Sequence, residues 1–286
     1  MTENSTILVT GATGRVGGQV VSQLLDTGVA VRALTRNPDA TALPDGVEVV
    51  GGDLSDADTL DAALDGVDAV LLVFPTIQAD HAAAAVIAKI AEHVTRIVYL
   101  SAAGVGDNPD EPADGIIGSH ARVERLIERS GMEWTFLRPS GFAANTLMWA
   151  DQIRAGNVLR WFYGAATRTL IHEHDIGAVA VRTLTEEGHG GMRYHLTGPS
   201  QLTQVEQAHA IGEAIGRPVR FEELAPEVAR QELLASVPAA LVDSILDGHA
   251  EMVRHPEPVT STVEDLTGIR ARTFQQWAVD HTSDFR

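Results

Sequence analysis

Three glycines spaced three apart, Gly11, Gly14 and Gly17, follow a short apolar run in ILVTGATGRVGG, residues 7–18. Bare backbone at this spacing, placed between a strand and a helix, lets main-chain N–H groups reach an anion such as a pyrophosphate. Gly11 suits the tight turn, Gly14 the close approach of phosphate, and Gly17 the packing of helix on strand. Thr13, Arg15 and Val16 complete the loop. The next strand ends Leu34-Thr35-Arg36, without the carboxylate that would accept hydrogen bonds from a ribose 2′-hydroxyl. A guanidinium there suits a 2′-phosphate instead, and Arg15 can close on the same group. Both arginines also fit a solvated surface. The expected cofactor is NADP, with NADPH preferred over NADH.

A second set of residues could move a proton. His120 and Glu124 stand four apart in HARVE, on one face of a helix flanked by Val123 and Ile127. One reading makes His120 a proton donor or substrate hydrogen-bonding group with an ordinary pKa, oriented by Glu124. The other makes the pair a structural tie between helix and neighbours. Ser101, at the end of RIVYLS, can hold a carbonyl oxygen or an amide, or cap the following loop. No G-x-S-x-G elbow surrounds it, so a serine nucleophile with His120 as base fits poorly. His172, His174 and Asp175 have alternating metal-ligand types, but no further ligand cluster accompanies them. Asp175 reads better as a helix cap, and no metal is expected.

Other residues offer surface more than reactivity. Asn145, Trp149, Trp161, Phe162 and Tyr163 crowd into one stretch, suited to a flat apolar substrate or to the core of a small lobe. Phe74, ending the strand DAVLLVF, can touch a cofactor or belong to the core.

The elements that must hold these residues follow an alternating rhythm. Strands are expected over 6–10, 29–36, 47–54, 68–74, 96–102 and 133–139. Helices are expected from Val16 to Gly28, through DADTLDAALDGV, through ADHAAAAVIAKIAEH, and over 118–130. The strands are nearly uniformly apolar, as those of a parallel sheet covered on both faces are. The expected architecture is α/β, a Rossmann-type doubly wound parallel sheet spanning 1–140. After Pro139 the rhythm breaks, and 141–286 read as a smaller α+β substrate lobe packed on the core as one unit.

Composition narrows the partners. The chain has 286 residues, 21 Lys and Arg against 39 Asp and Glu, and a formal net charge of −18. Such a surface repels phosphate backbones, so no nucleic-acid partner is expected, and any anionic ligand must meet a local cluster of donors. Cysteine is absent, which removes disulfides and thiolate chemistry and agrees with a cytoplasmic location. Neither a signal peptide nor a membrane span is evident. The expected partner is a small-molecule substrate, and a homodimer is left open.

The loop TGATGRVG at 10–17, with VRALTRNP, GDLSD, RIVYLSAAG, HARVERLIERSGMEWTFLRP and YHLTGPSQLT, resembles the NmrA-like branch of the atypical short-chain dehydrogenases/reductases. Within it, the resemblance is to NAD(P)H-dependent quinone-oxidoreductase-like members. It implies that Asp53 and Leu54 sit by the adenine, although Asp53 can equally cap the next turn. It places Pro139, Ser140 and Phe142 beside the nicotinamide and gives Ser101 the position of the superfamily's serine. The Tyr-x-x-x-Lys pair usual in the superfamily is missing, because the sole lysine is Lys89 in an earlier helix. Acceptors electrophilic enough to take hydride before a proton, such as quinones and conjugated carbonyls, suit that loss. A redox-sensing regulator without turnover and a non-redox isomerase or cyclase are the alternatives.

Overall fold

The computed structural model describes residues 5–40, 42–108, 115–235 and 238–286. Along them run β1 Thr6–Val9, α1 Arg15–Leu25, β2 Ala30–Thr35, β3 Val47–Gly51, α2 Asp61–Leu64, β4 Ala69–Leu72, α3 Thr76–Ala79 and α4 Ala83–His93. Then come β5 Arg96–Leu100, α5 Gly115–Arg129, β6 Glu133–Pro139, α6 Ala150–Gly156, β7 Val158–Trp161 and β8 Thr167–Arg168. The chain continues through α7 Glu173–Thr185, β9 Met192–Leu196, β10 Leu202–Thr203, α8 Gln204–Ile215, β11 Arg220–Glu223 and α9 Pro226–Leu233. It finishes with α10 Ala239–Arg254, α11 Thr262–Thr267, α12 Phe274–Asp280 and α13 Thr282–Phe285.

Seven strands form one sheet in the order β3-β2-β1-β4-β5-β6-β9, every pairing parallel. The chain winds from β1 through β2 to β3 on one side and then crosses to β4 on the other side of β1, which puts a topological switch point at the carboxyl end of β1, where open α/β sheets bind ligands. All four residues of β4 are buried, as a central strand covered on both faces requires. On one face Leu8, Val70, Leu72, Ile97, Tyr99 and Phe136 share a core with Val86, Ile87 and Ile90 of α4 and Val123 and Ile127 of α5. Elsewhere α7 lies along α1 and against β4, β5 and β6. Gly177 permits the α1 contact, since a Cβ there would come within 3.0 Å of Gln19.

The chain forms two compact units, and the division differs from the simple boundary near 140. Unit 1 comprises 1–139, 173–196 and 265–268, and unit 2 comprises 140–172, 197–264 and 269–286. By its place after Pro139, MRYHL is expected in the smaller lobe. In the structure this stretch is β9, paired with β6 through Leu137↔Tyr194 and its neighbours. Hydrogen bonds formed 57 residues apart in sequence leave no local signature. The expected helix DADTLDAALDGV is also shorter: a 3₁₀ turn, Ala57–Thr59, precedes the single turn of α2. Asp56 captures the Asp58 N–H at 3.2 Å, a local side-chain bond that competes with helix.

Unit 2 is built on two small strand pairs, β7 with β11 in parallel and β8 with β10 antiparallel. Its core gathers Trp149, Ile153, Leu159, Ile211, Trp277 and Phe285. A capping box between Thr203 and Glu206 starts α8, and Gly216 at φ +75° ends it.

Candidate cofactor and active site

The glycine loop follows β1 in unit 1. Thr10 fixes it to the end of β4: its Oγ1 accepts the Val73 N–H at 2.7 Å, and its own N–H donates to the Leu71 carbonyl at 3.0 Å. Gly11 adopts φ +63°, and a Cβ there would also meet Val73 Cβ at 3.0 Å. At Gly17 a Cβ would lie 2.1 Å from the Gly11 carbonyl oxygen, so α1 starts pressed onto the turn. Gly14 differs. Its φ of −84° is ordinary, and an added Cβ would touch only the Gly11 oxygen, at 3.1 Å. It is exposed at the start of α1.

That start carries no side-chain cap and no acidic residue in its first turn, whereas α8 and α12 both begin with capping boxes. The first N–H groups of an uncapped helix, over bare backbone, fit an anion. Thr13, Gly14 and Arg15 are exposed, and Val16 is buried under the turn. Arg36 is exposed just past β2, and β2 ends in register with β3 at Thr35↔Gly51. Asp53, just beyond β3, accepts the Ser55 N–H at 2.8 Å. That bond, helped by the neighbouring Arg36, holds its carboxyl below the usual range. The residues therefore fit a dinucleotide pyrophosphate with a cationic flank. Leu54 and Phe74 belong to the core, at 8% and 5% exposed.

The catalytic candidates are arranged differently from the expected pairing. Glu124 does not hold the His120 ring. Its carboxylate takes a bidentate grip from Arg138, Nε to Oε1 at 3.0 Å and Nη2 to Oε2 at 2.7 Å. Ser101 Oγ donates to the same Oε1 at 2.5 Å. Ser101, Glu124 and Arg138 are all buried, and Arg138 also donates to Asp107 at 2.6 Å. Buried carboxylates need a partner of this kind, and the guanidinium fork on β6 supplies one. The Arg138 bond also holds the Asp107 carboxyl below its usual range. Ser101 and Glu124 thus tie the ends of β5 and β6 to α5.

His120 is held by Tyr99 instead, with the Tyr99 hydroxyl 2.6 Å from Nδ1. Tyr99 is fully buried, and burial followed by the charge of Glu124 raises its pKa well above the usual value. The phenol keeps its proton, and with no other acceptor for it among the described residues, the O–H is assigned as donor to Nδ1. Burial also pushes His120 down from 6.5 to about 4, against a smaller opposing effect of Glu124. The ring is therefore neutral near pH 7, and with Nδ1 accepting, its own proton resides on Nε2. No partner for Nε2 is found among the described residues. His120 offers a fixed N–H donor and not an imidazolium acid. Sequence reasoning missed Tyr99 and Arg138, although both lie in quoted runs, RIVYLSAAG and EWTFLRP.

In unit 2, Ser140 Oγ donates to the Thr169 carbonyl at 2.5 Å, and Phe142 bridges to Ile171. Pro139, the last residue of β6, is buried. Trp149, expected against substrate, is instead 2% exposed inside the core. Trp161 is half-buried and stacks on Phe162 at 4.6 Å, and Asn145 is exposed. His172 pairs with Asp280 at 3.3 Å. No group of three or more metal-ligating side chains occurs among the described residues. None of the described helices is long and apolar enough to cross a membrane.

The NAD(P)H-binding family matches residues 11–187. The chain is 42% identical to (4-alkanoyl-5-oxo-2,5-dihydrofuran-3-yl)methyl phosphate reductase of Streptomyces griseus, over 98% of this chain and 99% of that one. It is 35% identical to NAD(P)H azoreductase of Xenophilus azovorans, over 98% of this chain and 99% of that one. Among solved structures it is similar to the NADPH complex of an NADPH-dependent quinone oxidoreductase from Escherichia coli. There the TM-score is 0.82 at 26% identity, covering 96% of this chain and 99% of the other.

Proposed function

The chain belongs to the NAD(P)H-binding family, and from that membership we propose that it is an NADPH-dependent reductase of conjugated carbonyl compounds. The observation that carries the reading is the uncapped start of α1 over bare Gly14, flanked by Arg15 and Arg36, with no carboxylate ending β2. Gly11, Gly14 and the first N–H groups of α1 would hold the pyrophosphate, and the two arginines a ribose 2′-phosphate. When bound, the reduced nicotinamide supplies a hydride.

The chain's own contribution to the reaction is a neutral donor. An acceptor that receives electrons at a carbon conjugated with a carbonyl gains negative charge on oxygen. His120 Nε2–H, oriented by Tyr99, suits that oxygen as a hydrogen-bond donor, and the proton needed later comes from water. Such a donor is weaker than an acid, which favours acceptors that need little protonation. The S. griseus relative is named for a 5-oxo-2,5-dihydrofuran, a ring whose double bond is conjugated with its carbonyl. We infer that this chain takes that substrate class.

Absorbance loss of NADPH with a 2-acyl butenolide, and with its saturated lactone counterpart, tests the reading. Consumption is expected with the unsaturated compound alone. No consumption with butenolides, enones or quinones would overturn it.

A further inference from the structure

Within unit 2, a guanidinium, a hydroxyl and a backbone N–H converge on one point, and a carboxylate of the same unit lies there. Arg168 Nη2 donates to Glu257 Oε1 at 3.3 Å. The Thr169 N–H and Oγ1 donate to Glu257 Oε2 at 3.0 and 3.2 Å. All three contacts are longer than the ~2.7–2.9 Å usual for charge-assisted bonds. Arg168 Nε is buried without a hydrogen-bond partner among the described residues. The donors on offer exceed what this carboxylate uses.

The surroundings are built around the guanidinium. It lies against the bare backbone of Gly141, where a Cβ would come 2.3 Å from Nη2. Ser140, one residue earlier, is hydrogen-bonded to the Thr169 carbonyl. The cluster therefore abuts the segment that directly follows the carboxyl end of β6. His249 lies within electrostatic reach of both Arg168 and Glu257, and its ring meets Phe162 edge-on at 5.1 Å.

Glu257 arrives on the loop Pro256-Glu257-Pro258, after α10. This loop is anchored without its carboxylate. Gln201 Nε2 donates to the Glu257 carbonyl at 2.6 Å, and the Thr260 N–H to Thr197 Oγ1 at 3.0 Å. The side chain can leave while the loop stays in place. Both Arg168 and Glu257 remain reachable, at 19% and 20% exposed. On a chain of net charge −18, an anion needs such a local cation. A phosphate monoester brings three acceptor oxygens and nearly two charges, matching the donor set better than a carboxylate.

We propose that Arg168 and Thr169 form an anion subsite within unit 2, that its ligand is a phosphate monoester, and that Glu257 fills the subsite until that ligand arrives. The identity of the ligand's reducible end rests on the reductase reading; the anion binding does not.

Titration calorimetry in the presence of NADP⁺ separates the two. The probes are a hydroxymethyl 2-acyl butenolide and its phosphate ester. The ester is expected to bind wild type at least tenfold more tightly than the alcohol. R168M should weaken the ester by about ten- to a hundredfold and leave the alcohol unchanged, while E257Q should tighten the ester several-fold. Where R168M fails to fold, the double variant R168M/E257Q removes both charges and should bind ester and alcohol equally. Equal binding of ester and alcohol by wild type, an unchanged ester affinity without Arg168, or weaker ester binding in E257Q overturns the proposal. Selective ester binding without NADPH consumption would count against the reductase reading alone.

Discussion

Tyr99 and His120 show how one buried hydroxyl can decide what a histidine does. With the phenol on Nδ1 the ring presents Nε2–H, and burial keeps it unprotonated until about pH 4. This sets two expectations. The kcat/KM for a butenolide should show no ionisation from His120 between about pH 5.5 and 8, and H120A should lower it by roughly 10²–10³-fold, the range for a lost oxyanion donor. A limb near pH 6.5 that vanishes in H120A would contradict the neutral-donor role. The second expectation concerns stability. The unfolded chain protonates this histidine near 6.5 and the folded chain near 4, so the unfolded state binds more protons between those values. The stability from the neutral ring is complete above pH 6.5 and is lost as pH falls toward 4. The Tm of wild type should drop more steeply over that window than that of H120N; parallel curves would remove the claim. Arg36 carries a prediction of its own. A charged hydrogen bond to a 2′-phosphate contributes about 1.5–3 kcal/mol, or roughly ten- to a hundredfold in affinity. Calorimetry should show R36A losing its preference for NADPH while NADH affinity holds, and a preference that survives would place the 2′-phosphate elsewhere.

The start of α1 and the junction of β5, β6 and α5 behave as units, and their glycines and charges have separable roles. Gly14 is exposed and a Cβ there would stand 3.1 Å from the Gly11 oxygen, whereas one at Gly17 would overlap that oxygen at 2.1 Å. G14V should therefore keep a near-wild-type Tm and lose NADPH binding, and G17A should cost stability first, about 1–3 kcal/mol for overpacking. Denaturant melts with calorimetry on both variants check the contrast, and equal stability losses would contradict it. At the junction, Arg138 neutralises a buried carboxylate. R138M should cost about 3–5 kcal/mol, because it leaves a buried charge unpaired, and R138M/E124Q should recover much of it. A double variant no more stable than R138M would mean that the pair acts through shape alone. These elements were legible to different degrees. The glycine loop and the strands could be read because their signals are local: spacing, apolar runs and the missing carboxylate after Thr35. The true partners of Glu124 and His120 could not, since i, i+4 spacing shows only which side chains share a face. Arg138 lies on a strand 14 residues beyond Glu124, and Tyr99 on a strand 21 before His120. Trp149 failed for a related reason: an aromatic run does not say which ring faces inward.

At the scale of the whole molecule, the chain leaves the first unit at Ser140, returns at Glu173 to add α7 and β9, and leaves again at Thr197. Nothing in MRYHL distinguishes a seventh strand from a strand of a small lobe until its neighbour is known. A separate long-range contact in unit 2 brings Arg168 beside Glu257, 89 residues apart. What the sequence does carry at this scale is chemical: one lysine, no Tyr-x-x-x-Lys pair, and an acidic surface that leaves anion binding to local clusters. Those limits suit the proposed acceptors, which take electrons readily and need only a hydrogen-bond donor at oxygen. The most direct measurement uses NADPH deuterated at the transferable nicotinamide C4 position, a 2-acyl butenolide, and mass spectrometry of the product. One deuterium is expected on a ring carbon of the product for each NADPH consumed. NADPH that binds tightly yet delivers no deuterium to butenolides, enones or quinones would contradict it.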